Sequence, residues 1–502
     1  MEKTEIINTK YGKIQGYIEK GIKIFKGIPY AAPPINDLRF MPPKPPAVWS
    51  DILIATEFGP NVPQPENNAS FLFGPPREES EANCLTLNIW TPGADKKRRP
   101  VMFWIHGGNF RYGSSAQVTY NGIPLAKRGN VVLVTINYRL GPLGFLYIPG
   151  KTANVGMLDQ VAALKWVHDN IEAFGGDPNN ITIFGESAGA SSVITLLTMP
   201  AAKGLFHRAI AQSTPLYYDS YQEAGSKKFI SRLHVEPEDI ESLQKIDIKK
   251  INRIHYKMAL EGYATQEATP FTPIVDGKVL PEDPLKALNN GCASDIPLLI
   301  GTTRDEIKFY HALLPNLPEL DYQALLKRTH KIMKHLGHNE DKAKRLIENY
   351  REAREGKLPT DPQEILDAII TDVMFRIITI RIAEAQSKHQ NNTYTYMFTW
   401  PSPMMGGRLG APHAVDVAFV FGTLYIPGTE KYCGKGKDAD ILSEKVMDSW
   451  ITFARTGTPN HDNIPEWSSY NADKRATMLL GKEIKVVNAP FDKERAAWDD
   501  II

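Results

Sequence analysis

Apolar residues recur along this chain in two patterns. One pattern is a short, mostly apolar run, which is typical of a buried β-strand. Between these runs, apolar residues fall three or four apart, as in residues 158–174, which is the spacing of one helix face. Strands that are apolar on both faces and alternate with helices predict a mainly parallel sheet with helices on both sides. The runs that read as strands are residues 85–90, 101–105, 131–136, 181–184, 209–213, 296–301 and 393–400.

The segments around these strands have different patterns. Residues 14–46 read as edge strands joined by proline-rich turns. Residues 60–83 predict an irregular loop with an apolar tip at Phe71-Leu72-Phe73, a kind of loop that commonly rims a pocket. Residues 217–290 and 317–390 are more helical and charged, and no repeat or linker divides the chain. We therefore expect one α/β domain over residues 1–502, with these two helical stretches as insertions over the sheet.

Composition narrows the classes of partner. The chain has 502 residues, 42% of them hydrophobic, and its 58 basic and 57 acidic residues give a net charge of +1. Without a basic excess it is not expected to bind nucleic acid or an anionic membrane, and a small neutral ligand fits better. The first ten residues are charged where a signal peptide needs an apolar core, and no apolar run approaches the roughly 18 residues of a membrane span.

The three cysteines also indicate a compartment. They are too few and too scattered for a disulfide framework, and none forms C-x-x-C. A reducing cytoplasm is the simplest location for such a chain. The cysteines are Cys84, Cys292 and Cys433.

A pentapeptide of the form G-x-S-x-G stands at residues 185–189, between the strand at 181–184 and a helical pattern. A serine at the tip of so sharp a turn needs neighbours without bulk two residues before it and two after it, which glycine supplies. Ser187 would then present its hydroxyl to a cleft, and the helix start would place the Ala188 amide beside a developing oxyanion. The same five residues also fit an ordinary tight turn with a surface serine, so other residues must decide.

A serine nucleophile requires oxyanion donors, and a glycine-rich loop follows the strand at 101–105. This loop reads His-Gly-Gly-Asn-Phe over residues 106–110. The consecutive glycines Gly107 and Gly108 allow backbone N–H groups to turn into a concavity, as in the H-G-G oxyanion loops found upstream of such elbows. The alternative is a glycine-rich loop that binds no ligand.

An acid and a base complete such a site. Asp305 and Glu306 follow the strand at 296–301 in the order serine, acid, histidine, and the pattern does not decide between them. His413 follows the strand at 393–400, in a loop of mostly small residues that suits a histidine reaching into a cleft. The alternatives are solvated loop carboxylates and a capping or core role for the histidine. Three competing histidines lie in a basic helical tract, where they are expected to be solvated and where no spacing suggests a metal site: His330, His335 and His338.

These motifs resemble the type B carboxylesterase family of α/β-hydrolases, and the chain is closest in look to its bacterial para-nitrobenzyl esterases. The resemblance covers nearly the whole chain, and it implies the α/β-hydrolase fold. It is carried by residues 25–30, 38–40, 58–60, 84–88, 106–110, 137–141, 174–178, 184–189, 199–206, 301–306 and 450–457.

The resemblance implies a role for each candidate residue. The family uses glutamate as its acid, which favours Glu306 over Asp305. The nucleophile, base and acid then fall, in that order, on Ser187, His413 and Glu306. The oxyanion donors fall on Gly107, Gly108 and Ala188. Phe110 would border the cleft.

Two departures from the family pattern concern residues near Cys84. The position that would hold its disulfide partner is Val62, so the resemblance predicts a free thiol at Cys84, which supports an intracellular enzyme. The acidic pair that the family places just before this cysteine is Ala82-Asn83, which leaves open the family's usual salt bridge with Arg39.

These observations together predict a serine carboxylic ester hydrolase that acts on small to medium esters through an acyl-enzyme intermediate. It would need neither metal nor cofactor, and a monomer is favoured. Two alternatives stay open. The same triad would also suit carbamates, amides or lipid esters, and the same fold also serves as a non-catalytic recognition module.

Overall fold

The computed structural model of the chain describes residues 2–65, 77–215, 221–236, 238–265, 270–313 and 319–502. The apolar tip predicted at Phe71–Phe73 lies outside these ranges.

Strands extend along most of the described sequence. Their bounds are β1 Glu2–Lys3, β2 Ile7–Asn8, β3 Lys13–Gln15, β4 Tyr17–Glu19, β5 Ile22–Pro29, β6 Ile52–Ile54, β7 Thr86–Thr91, β8 Arg99–Ile105, β9 Val132–Ile136, β10 Gly176–Glu186, β11 Arg208–Gln212, β12 Leu298–Thr303, β13 Thr393–Phe398, β14 Ala476–Leu480 and β15 Lys485–Asn488.

Twelve of these strands form one sheet in the order β1-β4-β5-β7-β9-β8-β10-β11-β12-β13-β14-β15, and β2, β3 and β6 form a separate small sheet. Every neighbouring pair from β9 to β14 is parallel, and the pairs at both margins are antiparallel. The carboxyl ends of the parallel strands therefore meet at one edge. The prediction of a mainly parallel sheet is confirmed.

Apolar side chains cover both faces of this sheet. Alternate residues of one strand enter opposite clusters: Phe103 of β8 packs on one face, and Met102 and Trp104 pack on the other. All three side chains are fully buried. This explains why the central strands read as continuous apolar runs rather than as an alternating pattern.

Helices contribute the side chains that pack against the two faces of the sheet. The α-helices are α1 Ile123–Gly129, α2 Gly141–Phe145, α3 Val155–Asn170, α4 Ala188–Thr198, α5 Tyr221–Leu233, α6 Ile240–Gln244, α7 Ile248–Thr265, α8 Pro284–Asn289, α9 Phe309–Leu313, α10 Tyr322–His335, α11 Glu340–Arg354, α12 Pro362–Thr371, α13 Ile377–Ser387, α14 Val417–Phe421, α15 Thr429–Cys433, α16 Lys437–Thr456 and α17 Asp492–Ala496. A π-helical turn, Asp372–Arg376, joins α12 to α13.

Three helices of the second inserted stretch pack on one another. Each of α10, α11 and α12 begins after an Asp or Asn whose side chain accepts a backbone amide three residues further on, an arrangement that satisfies one free N–H of the first turn. Their apolar faces form a third buried cluster, which also includes Trp498. These three helices thus share an apolar core of their own.

Two predictions near the amino-terminal strands have clear outcomes. Cys84 is a free, buried thiol, as predicted, and burial raises its pKa far above the usual value. Cys433 is also free and buried, whereas Cys292 is free and exposed. The salt bridge left open at Arg39 is present, because Glu81 supplies the carboxylate.

No helix in the described ranges has both the length and the apolar composition that a membrane crossing requires.

The interior of the sheet leads to a stability prediction. Leu133 in β9 is fully buried, so Leu133→Ala is expected to lower the free energy of unfolding by about 2–5 kcal/mol, through lost burial and the cavity left behind. Urea titration followed by tryptophan fluorescence measures this change. Val48→Ala is the control, because Val48 is 75% exposed and its truncation is expected to cost no more than about 0.5 kcal/mol. Equal effects of the two substitutions would contradict the assigned core.

Candidate active site

Ser187 lies in the turn between β10 and α4, with φ 57° and ψ −123°. A residue with a Cβ avoids positive φ, so its surroundings must hold this conformation. β10 ends at Glu186 and α4 begins at Ala188, which leaves one residue to redirect the chain. The Ser187 amide donates to the carbonyl oxygen of Gln212 in β11 at 2.9 Å. The turn is thereby fixed to the neighbouring strand.

The glycines on either side of Ser187 are required by close approach of the backbone. A Cβ on Gly189 would lie 2.0 Å from the carbonyl oxygen of Ile105, at the end of β8. A Cβ on Gly185 would lie 2.6 Å from the carbonyl carbon of Gly189. Both distances are shorter than real carbon contacts, so a side chain at either position would push α4 away from the sheet.

Gly107 and Gly108 follow β8 and lie beside the serine. A Cβ on Gly107 would be 3.1 Å from the Ser187 Cβ, and Gly108 has φ +112°, which suits glycine. Within the described ranges neither glycine amide donates a hydrogen bond to another residue. Ala188 is the first residue of α4, where N–H groups have no partner inside the helix. These three amides are therefore available to a negatively charged oxygen next to Ser187.

The loop after β13 brings His413 onto Glu306, which follows β12. His413 Nδ1 lies 2.6 Å from Glu306 Oε2, and the His413 amide donates to the Glu306 carbonyl oxygen at 3.2 Å. The other carboxylate oxygen, Oε1, accepts the Thr303 amide at 2.7 Å. Glu306 is fully buried, and these bonds fix the orientation of its carboxylate.

Asp305, the other acidic candidate, has a different set of partners. Its Oδ2 accepts the Ala411 amide at 2.8 Å and lies 2.9 Å from Arg304 Nε, and its own amide donates to the Ala411 carbonyl oxygen at 2.9 Å. Asp305 therefore holds the loop that carries His413 by hydrogen bonds to Ala411, whereas Glu306 contacts the imidazole.

Sequence reasoning gave no role to Glu186, the second residue of the pentapeptide. Its Oε1 lies 3.0 Å from His413 Nε2, an ion-pair distance without the angles of a hydrogen bond. A Cβ on Gly107 would be 2.8 Å from its Oε2. The Glu186 carboxylate thus lies between the imidazole and the glycine loop, in the residue that precedes Ser187. That adjacency is the only signal in the sequence that points to it.

A further buried carboxylate, that of Asp416, is linked to the serine turn by hydrogen bonds. Asp416 Oδ2 accepts from Gln212 Nε2 at 2.9 Å and from the Tyr396 hydroxyl at 3.1 Å. Gln212 Oε1 in turn accepts from Trp450 Nε1 at 3.2 Å. Because the main-chain oxygen of Gln212 also holds the Ser187 amide, this one residue links the serine turn to Asp416.

Burial and charge act against each other on His413. Burial alone would lower its pKa, but the carboxylates of Glu186 and Glu306 outweigh burial and raise the pKa to about 9. Burial raises the pKa of Glu186 to about 8 and that of Asp416 to about 6. Because each group acts on the other at 3.0 Å, the titrations of Glu186 and His413 are coupled.

Aromatic rings complete the surroundings of the imidazole. The ring centroid of Phe375 is 4.9 Å from that of His413, and the ring of Phe309 is 6.1 Å away. Phe110, predicted to border the cleft, is fully buried and packs edge-on against Phe145 at 4.8 Å. Its role beside a substrate stays a prediction.

No group of three or more His, Cys, Asp and Glu side chains that could hold a metal ion occurs among the described residues. The structure brings the imidazole of His413 onto Glu306 and onto Glu186, the residue that precedes Ser187. A hydroxyl, an imidazole, a carboxylate and backbone amides are the groups that acyl transfer requires.

All these groups stand at the carboxyl ends of β8, β10, β12 and β13, in a mostly parallel sheet with helices on both faces, which is the architecture of the α/β-hydrolases. The carboxylesterase family matches residues 3–498, and the chain belongs to that family. It is accordingly a serine hydrolase of carboxylic esters.

Individual relatives match over almost their whole length. Para-nitrobenzyl esterase of Bacillus subtilis (strain 168) is 37% identical over 499 residues, with 98% of each chain covered. Phenmedipham hydrolase of Pseudarthrobacter oxydans is 35% identical over 493 residues, with 95% of each covered. Among solved structures, the carboxylesterase EST55 of Geobacillus stearothermophilus is 37% identical with a TM-score of 0.86, over 99% of this chain and 100% of that one.

The Glu186 carboxylate leads to a prediction about pH. Glu186→Gln keeps the side-chain volume and removes a negative charge 3.0 Å from the imidazole, so the pKa of His413 is expected to fall. If the neutral imidazole is the reactive form, the acidic limb of the kcat/KM profile for p-nitrophenyl acetate moves to lower pH, by about 1 to 3 units.

The matched control is Glu352→Gln, which removes the same charge from an exposed position in α11 and is expected to leave the profile unchanged. An acidic limb that stays in place in Glu186→Gln, or moves upward, would show that this carboxylate does not set the pKa of the imidazole.

Proposed function

We propose that the chain hydrolyses carboxylic esters by two-step acyl transfer, with Ser187 as nucleophile, His413 as base and Glu306 as the acid that orients it. Ser187 Oγ attacks the ester carbonyl while His413 Nε2 takes its proton. The imidazolium then protonates the leaving alcohol as the carbon–oxygen bond breaks. In the second step the neutral imidazole removes a proton from water, which attacks the carbonyl carbon of the acyl-enzyme. The imidazolium then returns that proton to Ser187 Oγ as the acyl–oxygen bond breaks and the carboxylic acid is released.

The observation that carries this proposal is the buried 2.6 Å contact between His413 Nδ1 and Glu306 Oε2, beside the serine turn. With Nδ1 bound to the carboxylate, Nε2 is the nitrogen left to exchange protons. The amides of Gly107, Gly108 and Ala188 supply the oxyanion donors in this mechanism. Because these donors are backbone amides at the end of β8 and the start of α4, no side chain has to rearrange as charge develops.

The serine leads to the most direct prediction. Ser187→Ala is expected to lower kcat for p-nitrophenyl acetate by a factor on the order of 10⁶. The substitution also removes the atom that an organophosphate would modify, so stoichiometric labelling, measured by intact-protein mass, is expected for the native chain and not for the variant.

Ser468→Ala is the control for this experiment, since Ser468 is exposed and far along the sequence from the turn. Full esterase turnover by a folded Ser187→Ala protein would end the proposal. Absence of both turnover and adduct in the native chain would instead favour a non-catalytic recognition module.

We extend the proposal to small and medium neutral esters. The net charge of +1 provides no excess for a charged polymer, and a relative 37% identical is named a para-nitrobenzyl esterase. We also propose a monomeric, cytoplasmic, single-domain enzyme that does not bind nucleic acid. One sheet that includes strands from Glu2–Lys3 to Lys485–Asn488 supports the single domain, and the unpaired cysteines support the compartment.

The substrate class is tested with p-nitrophenyl esters from acetate to palmitate, together with a p-nitrobenzyl ester and phenmedipham, for which two relatives are named. We expect kcat/KM to fall beyond short and medium acyl chains. A profile that rises toward palmitate would indicate lipid esters, and faster turnover of matched carbamates or amides would indicate that the triad cleaves one of those bonds in preference to an ester.

A further inference from the structure

The π-helical turn Asp372–Arg376 reaches the imidazole of His413 through Phe375. A π-turn adds a residue to one turn of a helix, and such turns are frequent at functional sites. The Phe375 side chain is 1% exposed, and its ring is inclined at 43° to the imidazole with 4.9 Å between the ring centroids. Phe309 also faces the imidazole, but from 6.1 Å. Phe375 therefore makes the closer of the two aromatic contacts.

Buried ionic groups hold the opposite side of the same turn. Arg376 Nε donates to Asp372 Oδ1 at 2.6 Å, and Arg376 Nη2 lies 3.4 Å from a carboxylate oxygen of Glu494. The Tyr350 hydroxyl donates to Asp372 and accepts from Trp498 Nε1. Each member of this network has a partner, so the network fixes the conformation of the turn rather than leaving uncompensated charge.

The turn is also fixed relative to the acid of the proposed triad. The amide of Ile307, the residue after Glu306, lies 3.3 Å from the Thr371 hydroxyl, and Thr371 precedes the π-turn. Because successive residues of a helical turn point in different directions, Arg376 can face the ionic network while Phe375 faces the imidazole.

We infer that Phe375 is a positioning residue for His413, an inference that rests on the proposed role of His413 as base. The bond from Nδ1 to Glu306 fixes one atom of the imidazole. The Glu186 carboxylate lies 3.0 Å from Nε2 but without the angles of a hydrogen bond, so the ring is still able to tilt about the Nδ1 contact. Phe375 blocks this tilt from one side. The ring of Phe375 thereby keeps Nε2 directed toward the serine turn, and the ionic network of the π-turn keeps Phe375 in place.

The test truncates the ring in two steps, Phe375→Leu and Phe375→Ala. We expect kcat for p-nitrophenyl acetate to fall about 10- to 100-fold in the alanine variant, because small displacements of a catalytic group have effects of this size. The KM is expected to stay within about threefold, since the lost interaction acts on the imidazole and not on bound substrate. The leucine variant retains apolar bulk and is expected to lose less. If the alanine variant does not fold, the leucine variant gives the answer.

A spectroscopic signal reports the position of the imidazole directly. The proton between His413 Nδ1 and Glu306 is expected to give a sharp downfield proton resonance in the native chain and a broadened one in Phe375→Ala. Phe229→Ala is the matched control, because Phe229 is equally buried but packs on Phe271 at 5.2 Å. It is expected to leave both kcat and the resonance unchanged in the folded protein.

Two results would overturn the inference. A raised KM with unchanged kcat in Phe375→Ala would mean that the ring only contacts substrate, and unchanged kcat with a sharp resonance would mean that it has no effect on the imidazole. The variant His413→Ala separates these results from failure of the proposed function. If His413→Ala retains full turnover, the triad itself is wrong. If it is inactive while Phe375→Ala is normal, only the positioning role is wrong.

Discussion

The site depends on how closely the first turn of α4 approaches the end of β8. Gly189 packs so tightly against the carbonyl oxygen of Ile105 that no side chain fits between them, and the contact leaves Ser187 with positive φ. A single residue in such a conformation persists only where its surroundings over-determine it. Here β8 and β11 flank β10 on both sides, so the sheet provides that constraint. The same closeness places the glycine loop after β8 beside the serine.

A second constraint is the amount of charge enclosed around the imidazole. Glu186, Glu306 and Asp416 are all buried, and they raise the pKa of His413 by their combined charge. Glu186 Oε1, which lies 3.0 Å from the imidazole, and Asp416 Oδ1 accept no hydrogen bond among the described residues, although burying such an oxygen costs stability. Such a cost is understandable where the oxygen acts electrostatically on a group that gains and loses protons. The carboxylates therefore connect the stability of the fold to the protonation of the site.

The fold could be predicted because its main signals are local. Strands buried on both faces produce apolar runs, and the turn at Ser187 requires a glycine two residues before the serine and another two residues after it. The choice between Asp305 and Glu306 did not follow from the pattern, because it depends on how the chain turns after β12. Glu186 is conspicuous only once the imidazole is seen beside it. Phe375 lies in a stretch with an ordinary helical pattern, and a π-turn changes the direction of one side chain without altering that pattern enough to reveal it. The short strands β14 and β15 did not follow from the apolar runs.

The distribution of the three thiols has a practical consequence. Cys84 and Cys433 are enclosed by the fold, and burial raises the pKa of both, so neither readily forms the thiolate that alkylating reagents attack. Cys292 is exposed, although partial burial also raises the pKa of its thiol, and it lies near the far end of α4, where its Sγ is 3.9 Å from the Leu197 carbonyl oxygen. An eleven-residue helix extends roughly 15 Å, which separates that thiol from the serine turn at the helix start. The native chain thus has one exposed thiol for attachment of a fluorophore or a solid support, near the end of α4 opposite the serine turn.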